Sequence, residues 1–483
     1  MRVYLNMGVI LMLLFAGCSN KSETAMNDQW TKVDSLLGRI STPVFPDKEF
    51  SINDFGAVAD GVTMNTEAIN NAITACNDAG GGMVIIPQGK YLTGSVHLKS
   101  NVNLHLNDNA VLLFSTNPKD YLPVVLTRWE GIDCYNYSPL IYAYDLENIA
   151  ITGKGTLDGQ ATEDNWWSWK GRSEYGWEEG MHSQSEPNSR PRLKMYNENQ
   201  TPVKERVFGD GYYLRPQLIN IYKCRNILLE DITLTNSPFW IIHPLLSENL
   251  TVRGIKANSN GPNTDGCDPE SCKDVLIEDC YFNTGDDCIA IKSGRNQDGR
   301  RWNVPSQNII VQNCKMQNGH GGVVMGSEIS GGVNHVFVRN CVMNSPMLDR
   351  AIRIKTNSYR GGIVEDIFVR DVEVGQVGEA ALRINCSYEN PETEGKFMPV
   401  VRNVYIDSMT VNKAEYAFYL EGIKGEDCVY NINVTNSVFE NVKKENIVEY
   451  VNDFNIKNVT INDEQFTVEK LLENNKILNP AIR

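Results

Sequence analysis

The sequence predicts an all-β fold, a single-stranded right-handed parallel β-helix, and three observations predict it. Short strands with two-residue alternation recur along the chain: "NILLEDI" from Asn226, "NLTVRGI" from Asn249, "DVLIEDC" from Asp274, "NIIVQNC" from Asn308, "HVFVRNC" from His335, "DIFVRDV" from Asp366, "NVYIDSM" from Asn403 and "NINVTNS" from Asn431. The first five of these start 23, 25, 34 and 27 residues apart, the spacing of a solenoid whose coils carry inserts of varied length. Helices long enough to build alternating βαβ units are missing between them. A coil buries its apolar face only by stacking on neighbours. Ile227, Leu250, Val275, Ile309, Val336 and Ile367 are therefore expected to form an interior ladder, with Cys280, Cys314 and Cys341 stacked at another level.

Taken in order, the elements begin with a targeting segment. "MRVYLNMGVILMLLFAGCSN" has Arg2, an apolar stretch from Met7 to Phe15 and small residues before Cys18, too short to span a membrane and suited to export. The "LFAGC" ending resembles a bacterial lipoprotein signal, which implies a lipid on Cys18 and a place in the bacterial envelope. Residues 1–18 are thus read as signal, 19–44 as a weakly structured tether and 45–483 as one elongated catalytic domain. "NTEAINNAITACNDAGGG" gives an amphipathic helix with Ala68, Ile69, Ala72, Ile73 and Cys76 on its apolar face, placed to cap the open N-terminal end of the solenoid.

The chain has 483 residues and a formal net charge of −15 without a long basic run, which argues against nucleic acid as a partner. The 12 cysteines become 11 without Cys18, and none pair at zinc-ligand spacing.

Chemistry concentrates in four short motifs. "NTDG" places Asn263 and Asp265, and "GDDC" places Asp286 and Asp287, with 21 residues, close to one coil, between Asp265 and Asp286. Residues one coil apart become lateral neighbours at about 4.8 Å, so three carboxylates converge. "NGHGG" sets His320 between glycines, where backbone approaches a ligand closely. In "AIRIKT", Ile352 and Ile354 point inward and send Arg353 and Lys355 to the opposite face. Two cations beside an acidic cluster suit something anionic lying across both.

In these four motifs, in this order, the chain resembles the polygalacturonase family of glycoside hydrolases. The opening "DFGAVADGVTMNTEAI" likewise resembles that of pectin-degrading β-helix enzymes. The resemblance implies inverting hydrolysis of α-1,4-linked galacturonic acid in polygalacturonate or oligogalacturonides, with no cofactor and no metal. It implies Asp286 as the acid, its pKa raised by Asp265 and Asp287, which hold the water as base across a gap of ~6.5–9.5 Å. His320 would tune the acid's proton, while Arg353, Lys355 and Tyr388 would bind the sugar on the leaving-group side.

Two features lean towards attack at the chain end. "RNQDGRRW" brings Arg295, Arg300 and Arg301 beside Lys292 as a cationic loop expected to clamp a terminal carboxylate. "SPFWIIHP", with Trp240 and His243, looks like the exo-acting branch. The insert "NWWSWKGRSEYGWEEG" carries Trp166, Trp167, Trp169 and Trp177, either as a sugar-stacking surface or as anchors of a long loop. Endo attack, a decorated pectin such as rhamnogalacturonan, a calcium-dependent lyase and a non-catalytic adhesin stay open. A monomer is expected, with the membrane reached only through the lipid.

Overall fold

In the computed structural model, which describes residues 29–389 and 395–470, the chain winds as a right-handed parallel β-helix with three strands in a typical coil. One coil runs Arg225–Glu230, Thr233–Thr235 and Ile242–Leu245; the first two strands join a sheet of 22 strands and the third joins a shorter sheet. The corners explain the polar punctuation of the repeats. Asn226, Asn249, Asp274 and Asn308 open their strands at φ of 55° to 58°, and Asp231, Asp279, Asn313 and Asn340 turn the coil again at 54° to 63°. Asn and Asp tolerate this left-handed backbone because their short polar side chains bond locally. Their amides also stack: Asn249 Nδ2 donates to Asn226 Oδ1 at 2.8 Å, and Asn308 Nδ2 to Asp274 Oδ1 at 2.8 Å.

The expected ladder is the observed register. Ile227 pairs with Leu250, Leu250 with Val275, Val275 with Ile309, Ile309 with Val336 and Val336 with Ile367, all with at most 1% of their surface exposed. Cys280, Cys314 and Cys341 are buried at one level, where desolvation makes each behave as a small apolar side chain.

The stretch read as a tether is not one throughout. Residues 29–39 form a helix, α1, whose Trp30, Val33 and Leu36 bury against Leu276, Ile310, Phe337 and Phe368 on the outside of the large sheet. The three lie on one helical stripe and meet an apolar row that the coils leave uncovered. Arg39 fixes the end of α1, reaching both oxygens of Asp274 at 2.9 and 2.6 Å. The body of the protein therefore starts before residue 45. The signal segment and Cys18 lie outside the described residues.

The capping helix α2, Thr66–Asp78, buries Ala68, Ile69, Ala72, Ile73 and Cys76 against the first coils, as expected. Between Thr156–Asp158 and Ile219–Tyr222 a long insert leaves the solenoid; it holds short 3-10 turns and helix α3, Arg190–Glu198. A further helix, α4, spans Asn296–Trp302. Among the described residues no helix is long and apolar enough to cross a membrane.

Candidate active site

The third strand of each coil forms the floor of a cleft. Four such strands precede residue 260 and six follow residue 288; Cys267, bridged to Ile242 on one side and Ile289 on the other, joins the two sets. The turns that enter these strands carry the chemistry. Asp265 leads into Cys267, Asp286 and Asp287 lead into Ile289–Ile291, and His320 leads into Val323–Gly326, while Arg353 and Lys355 lie on Arg350–Lys355 itself. Alternation on that strand works as expected: Ile352 and Ile354 enter the core, and the cations face the cleft.

One oxygen from each of Asp265, Asp286 and Asp287 lies within 4.8 Å of the other two. These oxygens stand closer than the gap expected between acid and base: Asp265 projects from the coil next to that of Asp286 and Asp287, and neighbouring coils stack at about 4.8 Å. Asp287 is fully buried; its Oδ2 accepts from Lys355 Nζ at 2.6 Å, and Arg353 Nη1 stands 3.6 Å from its Oδ1. Asp286 is the more exposed. Its Oδ1 accepts from His320 Nδ1 at 2.9 Å and from the Asp287 amide at 3.0 Å, and its Oδ2 from Asn263 Nδ2 at 3.3 Å. Asp265 stands against Lys292 at 3.5 Å. Oδ1 of Asp265 and Oδ1 of Asp287 are buried acceptors without a hydrogen-bond partner among the described residues.

These surroundings divide the acids. Burial, then the adjacent Asp286, pushes Asp265 well above the carboxylate range. Burial would lift Asp286 as well, but the His320 imidazolium outweighs it and holds Asp286 well below its ordinary value, against the expectation of a raised Asp286. The same pair lifts His320 to about 9, chiefly through the charge of Asp286. Lys355 is raised: burial opposes its charge, and Asp287 prevails.

Other expected residues are placed as follows. Tyr388 presents its ring to Arg353 and Lys355, at 5.3 and 5.2 Å. Trp240 lines the cleft with Lys292 Nζ 4.5 Å above its ring. Asn263 lines it too. His243 does not reach the cleft: it is buried behind the floor, its Nε2 hydrogen-bonded to Glu270 at 2.8 Å, and burial lowers its pKa. Nor does the basic run clamp anything. Arg295 is consumed by Glu328 at 3.1 Å and Glu389 at 2.9 Å, Arg300 donates to the carbonyls of Tyr359 and Arg360, and Arg301 pairs with Asp133 at 2.5 Å. The segment is helix α4 rather than a loop, and its cations hold that helix to neighbouring elements. The tryptophans of the insert mostly anchor it: Trp166 is 1% exposed between Tyr121, Tyr137 and Trp169, and the Trp167 indole donates to the Ser237 carbonyl.

Other parts of that insert do reach the cleft, with cations that are themselves partnered: Arg190 lies 2.7 Å from Glu130 and Lys170 2.6 Å from Asn263. Lys170, Arg172, Tyr175, Gln184 and Arg190 line a cleft of about 360 Å³ together with Glu130, Glu328 and Glu389. Burial, then the charge of Arg215, pulls Lys170 down to about 8. A larger groove, about 720 Å³, lies elsewhere along the coil corners near Lys223 and Trp302 and holds none of these acids.

A parallel β-helix with a carboxylate trio, a charged histidine and a cationic pair in one cleft defines a carbohydrate-cleaving enzyme of the glycoside hydrolase class. The profile of glycosyl hydrolases family 28 matches residues 209–460, and the chain belongs to that family. A second profile, rhamnogalacturonase A/epimerase, pectate lyase-like, matches residues 49–112. A probable polygalacturonase of Vitis vinifera is 32% identical over 80% of this chain and 74% of its own length. An exo-poly-alpha-D-galacturonosidase of Dickeya chrysanthemi is 29% identical over 76% of this chain and 61% of its own. The crystal structure of a hyperthermoactive exopolygalacturonase from Thermotoga maritima is 46% identical, with a TM-score of 0.87 over 90% of this chain and 96% of that one.

Proposed function

We propose that the protein hydrolyses α-1,4-galacturonosidic bonds of polygalacturonate with inversion, releasing galacturonic acid from the chain end. The observation that carries this reading is the pair of unpartnered buried oxygens, Asp265 Oδ1 and Asp287 Oδ1, beside the more exposed, histidine-bonded Asp286. Two buried acceptors suit a water molecule, and an acid open to the cleft suits the leaving oxygen. Water attacks the anomeric carbon and yields a proton to Asp265 or Asp287. The bond to the leaving sugar breaks, and its oxygen takes the proton of Asp286. With about 4% of its side chain exposed, Asp265 is poorly placed to bond covalently to a sugar, which favours action through water.

Each turnover requires the protons of the free cleft to be rearranged. Asp265 protonated and Asp286 ionised, the arrangement the free cleft favours, is what one turnover leaves behind. Before the next turnover Asp265 releases its proton to solvent, and Asp286 gains one through His320 at 2.9 Å, which is recharged from solvent, so the proton count closes. Arg353, Lys355 and Tyr388 suit a galacturonate carboxylate on the leaving-group side. The insert residues Lys170, Arg172 and Arg190 that line the cleft, and the 46% identical exopolygalacturonase, favour attack at the terminus. An exported, lipid-anchored monomer, tethered through Cys18, completes the reading; a Cys18→Ser chain appearing in the soluble fraction while the unaltered chain stays with membranes tests the anchor.

The function is tested by a chromatographic and NMR time course on unesterified polygalacturonate. Galacturonic acid alone, first formed as the β anomer, is expected. An early ladder of oligomers would refute the exo reading, an initial α anomer would refute inversion, and an unsaturated product absorbing in the ultraviolet would mean a lyase.

A further inference from the structure

Asn263 sits between the insert and the catalytic acid, and its partners leave one orientation for its amide. Oδ1 faces Lys170 Nζ at 2.6 Å and Arg215 Nη2 at 2.9 Å. Ammonium and guanidinium groups only donate, so the oxygen must point to them and the NH2 must point to Asp286 Oδ2, 3.3 Å away. The two cations are themselves built in. Arg215 is fully buried, its guanidinium donating to the carbonyls of Pro238 and Pro262 and to Gln184 Oε1. It does not line the cleft. Lys170 follows the tryptophans that anchor the insert, and Trp167 packs so closely on Gly261 that a Cβ there would stand 2.2 Å from the indole.

We infer that Lys170 and Arg215 are positioning residues for the reaction, acting through Asn263 to aim an N–H at the acid Asp286, so that the insert completes the catalytic site as well as closing one end of it. This rests on the hydrolase reading above. Asp286 is faced by Asp265, Asp268, Asp287, His320 and Lys355 from the solenoid, and by Lys170, Arg215 and Tyr175 from the insert side. With His320 and the Asp287 amide occupying Oδ1, the Asn263 donor takes one lone pair of Oδ2 and leaves the other for the proton that is delivered. The insert's cations polarise that donor, and Lys170 adds its own charge in favour of the carboxylate that remains after delivery.

Three variants test this beside the unaltered protein: Asn263→Asp, which keeps an oxygen for the cations and loses the donor; Lys170→Met; and Arg215→Lys as the conservative control. Asn263→Asp is expected to lower kcat on polygalacturonate by about 100-fold or more with KM within about threefold. Arg215→Lys retains a donor to Asn263 and is expected to stay within about tenfold of the unaltered enzyme. The alkaline limb of kcat/KM, which His320 sets, should move to higher pH in Lys170→Met, because His320 beside Asp286 holds its proton more tightly without that cation. A substrate-free measurement separates this inference from the function itself: the NMR titration of His320 should move upward in both Asn263→Asp and Lys170→Met, as the field beside Asp286 turns more negative. An insert that merely walls the cleft would change KM or let oligomers appear and leave kcat, the alkaline limb and the His320 titration in place, and that result overturns the inference. If the His320 midpoints move and the unaltered enzyme still releases no galacturonic acid, the positioning stands and the substrate assignment falls.

Discussion

Replacing Lys355 by Met should cost stability and activity through different routes, which one substitution cycle separates. Lys355 Nζ lies 2.6 Å from Asp287 Oδ2, with side-chain exposures of 7% and 0%. Removing one partner of a buried pair strands the other charge, at a typical cost of about 3–5 kcal/mol. Arg353 remains 3.6 Å from the other oxygen, so about 3 kcal/mol, the low end, is expected for Lys355→Met. Asp287→Asn added to it removes the stranded charge, and the double variant should regain most of the loss, to within about 1 kcal/mol of the unaltered protein. Activity should not follow. Asp287→Asn lacks a water-holding carboxylate and should lose about 10²–10⁴ in kcat, alone or in the pair. Urea unfolding followed by tryptophan fluorescence gives the stabilities, and galacturonic acid release gives the rates. A double variant no more stable than Lys355→Met would refute the reasoning, since the loss would then come from the lysine stem's packing rather than from an abandoned charge.

Three other outcomes follow from the same site. Asp286→Asn should lower turnover by at least about 10³ while leaving the unfolding transition in place, and near-normal release of product in that variant would remove Asp286 from the mechanism. His320 is raised from 6.5 to about 9, so the native state favours its charged form; its contribution to stability is complete below about pH 6.5 and is lost as pH rises through about 9, and activity should fall over the same alkaline range. His320→Asn should abolish that limb, and a profile that keeps it would assign the limb elsewhere. Glu130 and Asp133 run the opposite way. Burial opposes their ionisation, but Arg190 and Arg128 prevail and hold both at about 2, so their stabilisation is present above about pH 4.5 and is lost as pH falls towards 2; unfolding free energies measured between pH 5 and 2 should decline across that window.

The ladder from Ile227 to Ile367 and the capping face of α2 were legible because burial imposes a period on the chain, two residues for a strand and three to four for a helix. The trio was legible because its members are separated by about one coil, so sequence distance converts directly into lateral contact. Arg295, Arg300 and Arg301 were misread for a reason of the same kind. A basic run looks alike whether its partners are a ligand or acids of the fold, and here the partners Glu328, Glu389 and Asp133 arrive from remote coils and loops. Lys170, Gln184 and Arg190 sit in an insert that has no period at all; its path is set by packing such as Trp166 between Tyr121 and Tyr137, which sequence spacing does not encode. The raised value expected for Asp286 considered only the neighbouring acids, whereas the charge of His320, with its hydrogen bond second, decides its proton.

The docked helix α1 bears on the cleft from another side of the solenoid. The row it covers, Leu276, Ile310, Phe337 and Phe368, belongs to the coils that also carry Asp286, His320, Arg353 and Arg383. Each of those side chains owes its place to how squarely its coil stacks on the next, and a slip of one residue would turn it to the wrong face. Trp30, Val33 and Leu36 lie across four consecutive coils like a splint across a set of joints. Tension applied ahead of residue 29 is thereby carried into the middle of the stack, and the layers that have to stay aligned for chemistry are the ones that bear the load.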